Sequence, residues 1–172
     1  PQTLQQWMSS TGGLTKIGAG TLTLSGGNTY TGTRTVNQGK LILTTLSTGG
    51  GAISVGDAGN LGVKLAAQSA TINAANITLG TTASHNGTLD IDLGGFALDL
   101  VTAPLTTSGT LAAAGTNTIN ITATNGLYLG QYPLIKYTGS LAPGVFNTFK
   151  LGTLPPLTGA ELVNNIGNQS VD

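Results

Sequence analysis

Between Gly18 and Gly32 the chain reads Gly-Ala-Gly-Thr-Leu-Thr-Leu-Ser-Gly-Gly-Asn-Thr-Tyr-Thr-Gly, and Val36, Gly39, Leu41 and Leu43 follow at once. Apolar residues two apart share one face of a strand, so Leu22 and Leu24 form a short buried stripe. Leu41 and Leu43 repeat that stripe at an offset of about one turn of a small structural repeat. Glycine separates the stripes and admits the left-handed backbone that tight corners need. A chain written this way is predicted to wind into stacked β-coils.

The same signature continues beyond Leu43. Apolar groups recur at Ile53/Val55, Val63/Leu65, Ile77/Leu79, Leu89/Ile91/Leu93, Phe96/Leu98/Leu100, Ile119/Ile121 and Leu127/Leu129. Turn signals lie between them at Gly26-Gly27-Asn28, Gly49-Gly50-Gly51, Gly56-Asp57-Ala58-Gly59-Asn60, Asn86-Gly87, Gly94-Gly95 and Asn125-Gly126. Asn-Gly steps also make hairpins, so an antiparallel β-sandwich is the alternative. The echoing groups and the lack of long alternating strands favour coils.

Composition narrows the function classes. The chain has 172 residues, of which 39% are hydrophobic but only 5% aromatic, so its core must be built from Leu, Ile, Val and Ala. Six basic and six acidic side chains cancel. That leaves no long-range field to attract nucleic acid or an anionic membrane, and neither partner is expected. With no cysteine, disulfides and thiolate metal sites are excluded. No apolar run is long enough for a membrane-spanning helix, so membrane insertion by this segment is not expected.

Three parts of one domain are predicted: an N-terminal arm at 1–11, β-coils at 12–130 and a capping segment at 131–172. In the arm, Leu4, Trp7 and Met8 fall at helical spacing, which suggests a short helix or a loose arm with Trp7 covering the open end of the core. The start at Pro1, without a basic and apolar leader, reads as a piece of a longer parent chain whose signal and anchor lie elsewhere. In the last part, Pro133, Pro143 and Pro155-Pro156 accompany Tyr132, Tyr137, Phe146 and Phe149, a texture suited to closing the end of a stack.

Residues able to carry chemistry are few. His85, the single histidine, lies in a turn sequence beside Ser84 and is expected to be solvent-exposed. Neither a nucleophile elbow nor a metal-spaced histidine pair accompanies it. Asp90 and Asp92 are placed on the outer face of a strand, where two carboxylates about 7 Å apart are able to bind calcium or act as acid and base. Asp99 completes the densest group of acids. Tyr128, Tyr132 and Tyr137 are candidates for stacking on sugars. Solvated positions for the acids and burial in the cap for the tyrosines are the plainer expectations. No catalytic residue, cofactor or metal is assigned.

The residues from Gly13 to Leu43 closely resemble the autotransporter-associated β-strand repeat of bacterial surface proteins. The resemblance rests on Gly18, Gly20, Leu22, Leu24, Asn28, Tyr30, Gly32, Val36, Gly39, Leu41 and Leu43. The segment from Ile53 to Leu61 looks like a degenerate continuation, and the end from Phe149 is similar to segments that close such repeat regions. The resemblance implies a right-handed parallel β-helix in the passenger of a secreted or cell-surface protein. It implies a non-catalytic scaffold for display, adhesion or self-assembly, with other copies or surface glycans as partners. A carbohydrate-binding or polysaccharide-degrading module on a β-helix is the alternative.

Overall fold

Two-residue alternation becomes strand pairing throughout the computed structural model, which describes residues 1–5, 8–125, 127–139, 141–156 and 159–172. The strands are β1 (Gln2–Leu4), β2 (Leu14–Lys16), β3 (Thr21–Leu24), β4 (Arg34–Thr44), β5 (Ile53–Lys64), β6 (Ile72–Ala74), β7 (Ile77–Leu79) and β8 (Asn86–Asp92). They continue as β9 (Leu105–Thr107), β10 (Leu111–Ala113), β11 (Thr116–Thr122), β12 (Ile135–Tyr137), β13 (Phe149–Leu151), β14 (Asn164–Asn165) and β15 (Ser170–Val171). Among the described residues the only helical element is a 3-10 turn at Phe146–Thr148. The molecule is all-β.

Pairing is parallel almost everywhere and resolves into three ladders. One runs β2, the first half of β4, the first half of β5, β7 and β10. The second, the largest, runs β1, β3, the second half of β4, the second half of β5, β8, β11 and β13. The third joins β6, β9 and β12 in a separate sheet. Backbone bonds prolong this third ladder upward: Thr48 N–H donates to Asn28 O at 2.9 Å, and Ala75 N–H to Gly50 O at 2.8 Å. From β5 to β12 the chain visits second, third and first ladder in one repeating order, each circuit lying on the one before.

Register explains why the leucine stripes recur. Leu22 lies opposite Leu41, Leu41 opposite Leu61, Leu61 opposite Leu89 and Leu89 opposite Ile119. A second inner row stacks Leu24, Leu43, Val63, Ile91 and Ile121. Leu24, Leu41, Leu43, Leu61 and Ile91 have no exposed surface, and burying each such side chain contributes about 1.5–3 kcal/mol. Corners between first and second ladder are tight. At Gly39, with φ of 73°, an added Cβ would lie 2.4 Å from Gly20 O of the preceding circuit.

Several expectations are corrected. Residues 2–4 form a strand paired with Leu22–Leu24, not a helix, because stacking on β3 satisfies backbone groups that a lone short helix would leave open. Trp7 lies outside the described residues. Gly56–Asn60 does not end the strand: β5 carries one extra residue at Gly56–Asp57 opposite Asn37, a bulge that shifts the register, and pairing with β4 resumes at Ala58. Phe96/Leu98/Leu100 and Leu127/Leu129 lie in connections between the second and third ladders, and Leu100 and Leu129 face solvent. Stacked strands run past residue 130, since β12 and β13 pair parallel with β9 and β11. Among the described residues, the antiparallel pairing that a sandwich requires is confined to β12 with β15 and β14 with β15, where the last residues fold back over the third ladder.

Candidate functional site

The outer face of the second ladder carries the acids. Alternation turns Asp90 and Asp92 away from Leu89, Ile91 and Leu93, which are buried. Asp90 pairs with Lys40 and accepts a bond from Asn120 Nδ2 at 2.8 Å. Asp92 sits 3.2 Å from Lys64 and accepts from Gly94 N–H at 2.9 Å. The two line a shallow depression of about 170 Å³ floored by Gly62 and Ile42. Asp99 does not join them. Its carboxylate accepts from the Ser69 hydroxyl, Val101 N–H at 2.7 Å and Thr102 N–H at 3.0 Å. Those bonds, the Ser69 hydroxyl foremost, hold its carboxyl below the usual range. Among the described residues no three His, Cys, Asp or Glu side chains are grouped to hold a metal ion.

The tyrosines do not form one face. Tyr128 is exposed, while Tyr132 is half-buried and donates to Tyr128 O at 3.3 Å. Tyr137 is buried in the third ladder, its hydroxyl 3.4 Å from Asn164 Oδ1, and burial pushes its phenol up, with nearby Asp172 adding to the effect. Tyr132 lines a cleft of about 280 Å³ with Leu98, Leu127, Leu134 and Leu162. Its floor reaches core residues Ile121 and Leu134, because the segment from Gly159 to Val163 crosses over the last circuits without filling the space beneath.

The residues singled out in the repeat have structural tasks. Leu24, Val36, Leu41 and Leu43 fill the core, and Leu22 is half-buried beneath the first circuit. Gly18 and Gly20 lie in a corner with open space around them, whereas Gly32 is packed on the backbone of Gly12 and Gly13. Asn28 is buried and joins neighbouring circuits: Met8 N–H donates to its Oδ1 at 3.0 Å, and its Nδ2 donates to Gly26 O at 3.0 Å. Tyr30 is buried, and desolvation raises its phenol although Arg34 opposes the effect.

Three polar side chains inside the stack, Lys16, Arg34 and His85, were not identified as structural from sequence. The first ladder's inner rows read Leu14, Arg34, Ile53, Ile77, Leu111 and Lys16, Val36, Val55, Leu79, Ala113, so both basic residues occupy apolar positions. Lys16 donates to Ile17 O at 2.9 Å, Gly18 O at 2.5 Å and Gln38 O at 3.0 Å. His85, expected in solvent, is 3% exposed. Its ring fits where Gly80, Gly87 and Gly115 lack side chains, with Nδ1 3.2 Å from Asp57 O and Nε2 3.2 Å from Asn117 Oδ1. Ser84 is bonded instead to Thr82 at 2.6 Å, so no hydroxyl faces the imidazole as a nucleophile would. The two-residue alternation already marked Lys16 and Arg34 as inward. For His85 the signal was Gly80 and Gly87 close by in sequence together with Gly115 on the next circuit.

Stacked parallel ladders, with Asn28, Lys16 and His85 bonded to groups inside the stack, define a repeat-built all-β protein. Residues 14–43 match the family model of the passenger-associated-transport-repeat. The match spans β2, β3 and nearly all of β4, the segment whose leucine stripes open the inner rows. No curated protein and no solved structure matches the chain.

Proposed function

We propose that the chain is a non-catalytic scaffold segment of a bacterial autotransporter-like surface or secreted protein, wound as a right-handed parallel β-helix and serving display, adhesion or self-assembly outside the cell. The observation that carries this reading is the placement of the matched repeat: its strands are continuous, in register, with circuits that follow it for more than a hundred residues. The rest of a parent chain, other copies or surface glycans are its partners in this reading. The acids singled out from sequence support it, since the carboxylates of Asp90, Asp92 and Asp99 are each taken up by a lysine, amide or backbone donor within their own surface.

The alternative, carbohydrate binding, draws on the cleft beside Tyr132. An epitope inserted between Gly94 and Gly95, in a connection outside the ladders, separates the two. A scaffold keeps its melting temperature within a few degrees, exposes the epitope to antibody and shows no change in tyrosine fluorescence with neutral oligosaccharides. Cooperative unfolding on insertion, or a saturable oligosaccharide-induced change in the unmodified chain, overturns the reading.

A further inference from the structure

Arg34 is the largest fully buried side chain among the described residues. It stands in an inner row between Leu14 and Ile53, with no carboxylate paired to it among the described residues. Its Nη2 donates to two carbonyls beyond the matched repeat: Gly51 O, at the end of the next connection, and Asn73 O at 3.2 Å, in β6 of the third ladder. Nε is buried without a partner, and desolvation lowers the guanidinium's hold on its proton. A charge so placed costs the folded state stability; an apolar side chain of similar volume is commonly neutral or better there.

The rows around it explain what such a residue can do. Leu22/Leu24, Leu41/Leu43 and Leu61/Val63 are near copies stacked on each other. Apolar packing therefore distinguishes poorly between one circuit and its neighbour, and a slip by a whole circuit keeps the stripes buried. Arg34 breaks that degeneracy. Only in the observed register does its fork meet Gly51 and Asn73 together, and Asn73 lies in β6, the first strand of the third ladder's sheet.

We propose that Arg34 is a register pin: it fixes how the passenger-type repeat stacks on the two circuits after it, at a cost in stability. The idea does not depend on the scaffold reading, on helical handedness or on any ligand. It is tested in the whole chain with Arg34→Met, comparing urea unfolding with amide NMR spectra. The expected result is a urea midpoint higher by about 1 M, with amide signals of residues 14–43 split into more than one set while those of β11 stay single. A variant that is less stable or unfolded shows Arg34 to be a net stabiliser and overturns the proposal. A more stable variant with a single set of signals overturns it as well, since register would then be held by other contacts.

Discussion

Gly18 and Gly39 occupy matching corners of successive circuits with nearly the same backbone, φ of 75° and 73°. Their surroundings differ. A Cβ on Gly18 meets nothing within 4 Å, whereas one on Gly39 would lie 2.4 Å from Gly20 O, 2.5 Å from Gly18 O and 2.8 Å from Ala19 C. Gly18→Ala therefore carries only the left-handed penalty of about 1 kcal/mol, a fall in melting temperature of about 2–4 °C for a chain of this size. Gly39→Ala carries the same penalty and must also push two backbones apart. Overpacking of this kind adds about 1–3 kcal/mol, so the fall reaches about 4–16 °C. Thermal melts followed by circular dichroism read both variants in one experiment. If the two melt within about 2 °C of each other, the close stacking of Gly39 on the Gly18–Gly20 corner is wrong.

Two further outcomes follow from the rows and the corners. Leu43→Asp places a carboxylate in a fully buried inner row and is expected to abolish cooperative unfolding, while Ile42→Thr, one residue away on the half-exposed outer row, shifts stability by no more than about 1 kcal/mol; equal effects would mean that the strand does not alternate as described. Asp57 is held at about 2, first by the Thr82 hydroxyl and then by Thr81 N–H. Because its folded value lies below the unfolded one, its contribution is present above the ordinary carboxylate range and fades as pH falls toward 2. Urea midpoints at pH 4 and pH 2 should therefore fall further for the native chain than for Asp57→Asn, and parallel falls would show that the corner bonds do not form.

Strand existence and facing were legible because alternation is local: Leu22 and Leu24, or Leu89 and Ile91, declare their face within three residues. Parallel stacking was legible because the stripes repeat. Connections misled, since Phe96, Leu98 and Leu100 alternate like a strand yet lie opposite no ladder partner, and a stripe does not say whether another strand waits beside it. The arm at Gln2–Leu4 was misread because three residues carry no period of their own and take β structure from the circuit beneath. At the candidate site, the outward placement of Asp90 and Asp92 followed from the pleat, but their lysine partners come from β4 and β5 and needed the register. His85 failed for the same reason: Gly80 and Gly87 flank it, but Gly115 and its ring partner Asn117 come from the next circuit, which the sequence does not align.

The connections between second and third ladder, across 65–71, 93–104 and 123–134, differ in length, the last two longer than the first, while the strands they join keep their register. Each connection leans chiefly on the next, as where Gln68 holds Ala97 and Asn125 holds Gly95. The chain thus separates two kinds of text. Ladder residues are tied by backbone pairing to the circuits on both sides, whereas a connection is held by a few side-chain bonds to adjacent connections, so substitutions and insertions along that edge disturb few contacts and can add new surface chemistry while leaving the spine in place.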